Sequence, residues 1–245
     1  MARAGRTVAP ARASAYYPRE RRQVTPERGA VCAKIHSLLV ALPPFHDPDE
    51  VPFDNGLYFF YENGEKSDHG PEGRIVRIGN HPRSQHRLHD RLWDHYSPNK
   101  NFSVFRKLLG GALLRREDPR HPCLAPAPGK GHWEKQDESP CPLCRPLEQR
   151  VTAQLHGTFR FRCVAIEDRE SRNALEKKLI GSVSVCLICR PSGEWLGRYA
   201  YSRKVTENGL WNSNHVGGPD GISAWDLVLL KKLVAHTLTL LSPKG

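Results

Sequence analysis

At 245 residues the chain is long enough for one full-sized core or two small ones. Its 38% hydrophobic, 26% charged and 8% aromatic residues exclude a disordered, fibrous or membrane-spanning class, and no apolar run approaches the roughly 18 residues that cross a bilayer. Lysine and arginine number 37 against 26 aspartates and glutamates, a formal charge of +11, which favours a phosphate-bearing or otherwise acidic partner and no membrane.

Two segments hold the whole surplus. Residues 1–30 carry seven arginines against two glutamates, and residues 74–116 carry ten cations against Asp90 and Asp94. The first, interrupted by Pro10, Pro18 and Pro26, reads as a flexible basic tail. Its Arg-, Ala- and Ser-rich, acid-poor composition fits an organelle transit peptide as well as an arm that wraps a polyanion. With no apolar secretion-signal core, a cytoplasmic location is expected.

Apolar positions at Val31, Ile35, Leu38, Leu39 and Leu42 recur at helical spacing until Pro43-Pro44, which predicts a helix over 31–42. Gly56 to Tyr61 is dense in aromatics and Arg74 to Ile78 alternates apolar with basic, so two strands joined by a long hairpin loop are expected. Residues 85–95 and 102–114 read as helices, the second with Phe102, Phe105, Leu108, Leu109 and Ala112 on one side. Seven prolines in 117–146 mark an inserted surface loop. Beyond it come a helix over 147–155, a third strand over Phe159–Ile166, a helix from Glu170 to about Ile188, and a closing amphipathic helix from Trp225 to Leu241.

Gly56-Leu57-Tyr58 on the first strand and Arg77-Ile78-Gly79 ending the second resemble the paired triplets of the GIY-YIG nuclease superfamily. Three later segments follow in the family's order. Arg91-Leu92-Trp93-Asp94-His95 matches its helix with a catalytic arginine and a histidine one turn on; Arg87 lies one turn before. Glu176, beside the apolar stripe Leu175, Leu179 and Val183, matches its metal-binding glutamate. Asn214, in Trp211-Asn212-Ser213-Asn214, is the preferred match for its late asparagine, with Asn212 the alternative. Pro52-Phe53-Asp54-Asn55-Gly56, Ser103-Val104-Phe105-Arg106 and Trp195-Leu196-Gly197-Arg198-Tyr199 resemble the larger, restriction-endonuclease-like prokaryotic branch.

The resemblance implies an α/β fold: a small central three-stranded, mainly antiparallel sheet flanked by helices, with a helical C-terminal extension. One nuclease domain over 31–245 would carry the proline-rich insertion. It also implies an endonuclease hydrolysing phosphodiesters of double-stranded DNA with Mg²⁺ or Mn²⁺, of restriction or defence type, and a homodimer if its target is palindromic. Glu176 would hold the metal, Arg91 brace the phosphate, Tyr58 serve as general base, and His95 orient the water or Tyr58. Arg77 departs from the family's second tyrosine. As a cation it lowers the proton affinity of a nearby phenol or water rather than acting as a base, so the identity of the base stays open.

Around the arginine helix, Arg74, Arg87, Lys100, Arg106 and Lys107 are the candidate phosphate contacts. A non-catalytic nucleic-acid-binding protein with the same fold, and a nuclease of RNA or repair intermediates, remain the alternatives. Seven cysteines point to reduced thiols or metal ligands rather than a disulfide framework. Cys141/Cys144 and Cys186/Cys189 are two Cys-x-x-Cys pairs separated by more than the common zinc spacing. A local zinc site from His121, Cys123, Cys141 and Cys144 is one alternative, and small apolar packing by Cys186 and Cys189 another.

Overall fold

The computed structural model of the chain describes residues 26–81, 87–125, 130–136, 141–218 and 221–242, with side chains from residue 29 onward. The predicted tail therefore lies outside the described residues up to residue 25. Its last five residues instead open α1 (Pro26–Leu39), a helix that starts on a proline, as the first turn permits.

Strand β1 (Gly56–Glu62) is the middle of a three-stranded antiparallel sheet, with β2 (Ile75–Asn80) and β3 (Phe159–Ala165) on either side. Every β1 residue is buried. Tyr58 and Phe60 enter one apolar cluster, while Leu57, Phe59 and Tyr61 enter another, so both faces of the strand are covered and the sequence shows no polar alternation. Opposite Tyr61 the β1–β2 register slips by one residue. Arg77 lies across from Phe60, two residues before Gly79 and so on the same face as Tyr58 by ordinary alternation, while the bulge keeps Ile75 with Ile78 in the other cluster.

Helices α2 (Leu88–Tyr96), α3 (Val104–Glu117) and α4 (Arg145–Thr158) pack on the Tyr58 side. On the Leu57 side lie α1, α5 (Arg169–Ser184) and the C-terminal helix α7 (Ala224–Leu241). A short α6 (Arg203–Asn208) precedes the Trp211 segment. The predicted order of elements stands, with boundary corrections. Phe102 sits on a separate 3-10 turn and is exposed rather than part of the α3 stripe, because Ser103 caps α3 by accepting a hydrogen bond from the Arg106 N–H. Helix α4 runs on to the start of β3. Helix α5 stops at Ser184, leaving Cys186 and Cys189 in the loop before Pro191.

The proline-rich insertion has no helix or strand between residues 118 and 141 among the described residues, as expected. It is nevertheless more than surface loop. Trp133 is fully buried and donates its indole N–H to Lys107 O at 3.0 Å. Its ring fits only over a glycine: a Cβ on Gly110 would meet it at 2.3 Å. Beside it, buried Glu134 pairs with Arg115 at 2.6 Å.

Candidate active site

Tyr58 and Gly79 are cross-strand partners. The hydroxyl end of the tyrosine lies against the glycine, where a Cβ would stand 2.2 Å from the phenol oxygen, so the closing glycine of the second triplet is a steric requirement of Tyr58. The opening Gly56 has the same character: a Cβ there would meet Val164 O of β3 at 2.3 Å.

The Tyr58 hydroxyl is 2.9 Å from His95 Nε2, and His95 Nδ1 is 2.7 Å from Ser103 Oγ. His95 is fully buried. Burial first, and then the charges of Arg91, Arg77 and Arg106, hold its pKa well below the ordinary histidine range, so the imidazole is neutral at physiological pH. Ser103 Oγ already accepts the Arg106 N–H at 3.1 Å and is free to donate its own proton to Nδ1.

Arg91 extends from the same face of α2 one turn before His95. Its Nη1 donates to Asp94 Oδ2 at 3.0 Å and to Phe102 O at 2.8 Å, while its buried Nε has no partner. Arg77 likewise donates Nη1 to Trp211 O at 2.6 Å, lies 5.0 Å over the Phe105 ring, and leaves Nε without a partner. Glu176 reaches this region from α5, whose N-terminal half is tied to the end of β2 by Asn80 Nδ2 donating to Asn173 Oδ1 at 2.8 Å. Desolvation pushes its carboxyl up to about 7, opposed by Arg77, Arg91 and the Asn80 N–H. Tyr58, Arg77, Arg91, His95 and Glu176 are therefore brought into one electrostatically connected group.

Asn214 is not part of it. That side chain is exposed, whereas Asn212 is buried and bonds both polar groups of the Ile78 backbone, accepting its N–H at 3.1 Å and donating to its carbonyl at 2.8 Å. Trp211 N–H donates to Val76 O at 2.7 Å, so this segment serves as a short substitute strand along the free edge of β2. Nothing in the spacing separated Asn212 from its neighbour. Ser103, read from the sequence as part of the helix over 102–114, is both the cap of α3 and the partner of His95.

Three predicted phosphate contacts are corrected. Arg74 is 1% exposed, ion-paired with Glu65 at 2.6 Å, bonded to Gly209 O and stacked 4.7 Å over Trp195. Lys100 is buried with Nζ donating to Lys135 O at 3.0 Å. Arg106 is fully buried against Glu148. Charge in the sequence did not reveal burial. Lys107 is partly buried and donates to Gln136 Oε1 at 3.1 Å. Arg87 is exposed and pairs loosely with Asp54 at 3.2 Å. It precedes α2 as its N-cap rather than sharing a helical face with Arg91.

Glu176 makes no ion pair among the described residues, and its carboxyl is held near neutrality by burial. A divalent cation would restore its charge, so the residues present fit one Mg²⁺ or Mn²⁺ that keeps most of its waters. No curated protein and no solved structure matches the chain. A family model, described as the GIY-YIG domain, matches residues 41–239, from the loop before β1 into α7. Sequence match, antiparallel sheet and the paired glycines against Tyr58 and β3 agree: the chain belongs to the GIY-YIG family of nucleases.

Proposed function

We propose that the chain is a cytoplasmic, divalent-metal-dependent endonuclease of double-stranded DNA, of restriction or defence type, working as a homodimer where its target is palindromic. The observation that carries the reading is the convergence of the Tyr58–His95–Ser103 chain, two arginines with spare donors, and a desolvated glutamate.

Neutral His95, with Ser103 donating to Nδ1, presents Nε2–H to the Tyr58 oxygen. That hydrogen bond fixes the phenol oxygen beside the guanidinium of Arg91, on the face of the sheet that also carries Arg77, and the phenol oxygen is assigned the proton of an attacking water. Because His95 resists a second proton, it fixes the phenol's orientation rather than storing the proton. Arg91, permanently charged and braced by Asp94, supports the charge that builds on the phosphate oxygens. A cation held by Glu176 would supply Lewis-acid polarisation and stabilise the leaving oxygen.

The test is incubation of the purified chain with supercoiled and genomic DNA, with Mg²⁺ or with no added metal, alongside Glu176→Ala and Arg91→Ala. Metal-dependent cuts lost in both variants are expected, and discrete fragments would mark sequence-specific action. Variants that cut as well as the parent would overturn the site. Tight, salt-sensitive binding without cleavage of DNA or RNA would favour the non-catalytic alternative.

A further inference from the structure

All but one of the seven cysteines fall into two groups. The two Cys-x-x-Cys pairs do not meet. Cys141 and Cys144 join Cys123, whereas Cys186 and Cys189 join Cys32 from α1 and His69 from the β1–β2 loop. The first group offers three thiols among the described residues, with His121 outside it, its Nδ1 accepting the Cys123 backbone N–H at 3.2 Å. The second offers a complete set of four.

We propose that Cys32, His69, Cys186 and Cys189 form a tetrahedral site for one structural zinc ion. Their ligand atoms all lie within 4.8 Å of one another. Cys32 Sγ is 3.9 Å from Cys189 Sγ, and His69 Nε2 is 3.2 Å from Cys186 Sγ. A zinc ion with Zn–S of about 2.3 Å and Zn–N of about 2.0 Å requires tetrahedral edges of roughly 3.8 Å between sulfurs and 3.5 Å between sulfur and nitrogen. The observed separations bracket those edges. A sulfur–sulfur distance of 3.9 Å is nearly twice a disulfide bond of about 2.05 Å, and so tight a set has no room for a multi-iron cluster between its thiols. Three thiols and one imidazole at tetrahedral spacing select zinc among common ions.

The surroundings supply what thiolate ligands need. Ser67 Oγ is 3.2 Å and His36 Nε2 3.4 Å from Cys189 Sγ, two donors aimed at a sulfur that would carry charge. Cys32, Cys186 and Cys189 are all under a tenth exposed, and His69 covers the remaining side from a loop fixed by the Ser67–Gly70 bridge. The sequence concealed this set because its four members come from three distant segments, and only one pair has the short zinc spacing.

The site's place in the fold gives it a task. It joins α1, the long β1–β2 loop and the loop that directly follows α5, the helix that bears Glu176, on the side of the sheet opposite His95. The ion would thus lock the metal-binding helix to the hairpin that carries Tyr58 and Arg77, without touching substrate.

Metal content of the full chain, purified under reducing conditions, tests the proposal with no recourse to cleavage, so its outcome is independent of the nuclease reading. The parent is expected to hold zinc, Cys186→Ser/Cys189→Ser to hold one equivalent fewer, and Cys163→Ser, outside both groups, to match the parent. If the double variant fails to fold, His69→Cys provides the second measurement. It should keep the parent's zinc, and its cobalt-substituted form should gain thiolate-to-metal charge-transfer intensity as three sulfurs become four. Chelation should lower the melting temperature, restored by zinc and not by magnesium. A folded double variant with the parent's zinc content would overturn the site, as would a Cys186–Cys189 disulfide in the reduced preparation.

Discussion

Two sets of charged side chains meet around His95, and the fold treats them in opposite ways. Arg106, on α3, is saturated: Nε and Nη2 donate to Glu148 Oε2 at 3.1 and 2.6 Å, Nη1 to His95 O at 2.9 Å, and Nη2 also to Glu148 O and Thr152 Oγ1 at 2.9 Å. Arg91 and Arg77, on the other side of the same histidine, each keep a buried Nε with no partner, and Glu176 near them has no ion pair among the described residues. Unpartnered buried donors also remain on Arg74, Arg115, Arg162 and Arg172, so it is the place of Arg91 and Arg77 beside His95 and Glu176 that makes their spare donors the proposed phosphate contacts. The comparison separates cations that hold the fold from cations proposed to meet phosphate, a distinction that net charge does not contain.

The sharpest break in the comparison is expected at Glu176. Replacing it with Gln should lower DNA cleavage by about a thousandfold or more, on the scale of losing a principal transition-state charge contact, with the melting temperature kept or raised. In the parent, cleavage should rise with pH through about 7, as the carboxyl loses its proton and becomes competent to hold a cation. The sign for stability is the reverse. The folded carboxyl binds its proton more tightly than the unfolded one, so its contribution falls as pH rises from the ordinary 4.5 to about 7 and is flat above. Glu176→Gln should therefore gain on the parent in denaturant midpoint across that window. A variant that loses stability equally at acid and neutral pH would show that Glu176 is a structural residue.

Arg106→Ala should do the opposite. Removing one partner of a buried pair leaves Glu148 uncompensated and strips a donor from the His95 carbonyl, a loss of about 3–5 kcal/mol in unfolding free energy. Any fall in cleavage should then track the folded fraction, measured by circular dichroism on the same sample. Full stability with lost DNA affinity would return Arg106 to the phosphate contacts.

A smaller effect divides the two asparagines. Asn212→Ala removes both side-chain bonds to Ile78, at the edge of the strand that holds Arg77 and Gly79, and should cost about 1–3 kcal/mol. Asn214→Ala, at an exposed position, should stay within about 0.5 kcal/mol of the parent. Equal losses would remove the distinction.

The sequence carried the elements and the order of the site well, because their signals are local: the aromatic run of β1, the triplets Gly56-Leu57-Tyr58 and Arg77-Ile78-Gly79, and the one-turn spacing of Arg91 and His95. What escaped it is pairwise and distant. Whether Arg74, Lys100 and Arg106 face solvent depends on Glu65, Lys135 and Glu148, brought up by other elements. The burial of Trp133 depends on a glycine more than twenty residues away that makes room for it. The bulge that keeps Ile75 on the same side of the sheet as Ile78 is likewise a property of the pairing of β1 with β2, invisible in either strand alone.

Arg87 gives the smallest expected effect and the finest test of the division. It is two-thirds exposed, and its pairing with Asp54 at 3.2 Å is a surface contact worth little. Arg87→Ala should leave the melting temperature within error and reduce the slope of log affinity against log salt by about one unit, the signature of one released phosphate contact. The same replacement at Lys107, already donating to Gln136, should change that slope less. If Arg87→Ala leaves the slope unaltered, the surface beside α2 does not meet the phosphate backbone, and DNA must approach the spare donors of Arg91 and Arg77 from another side.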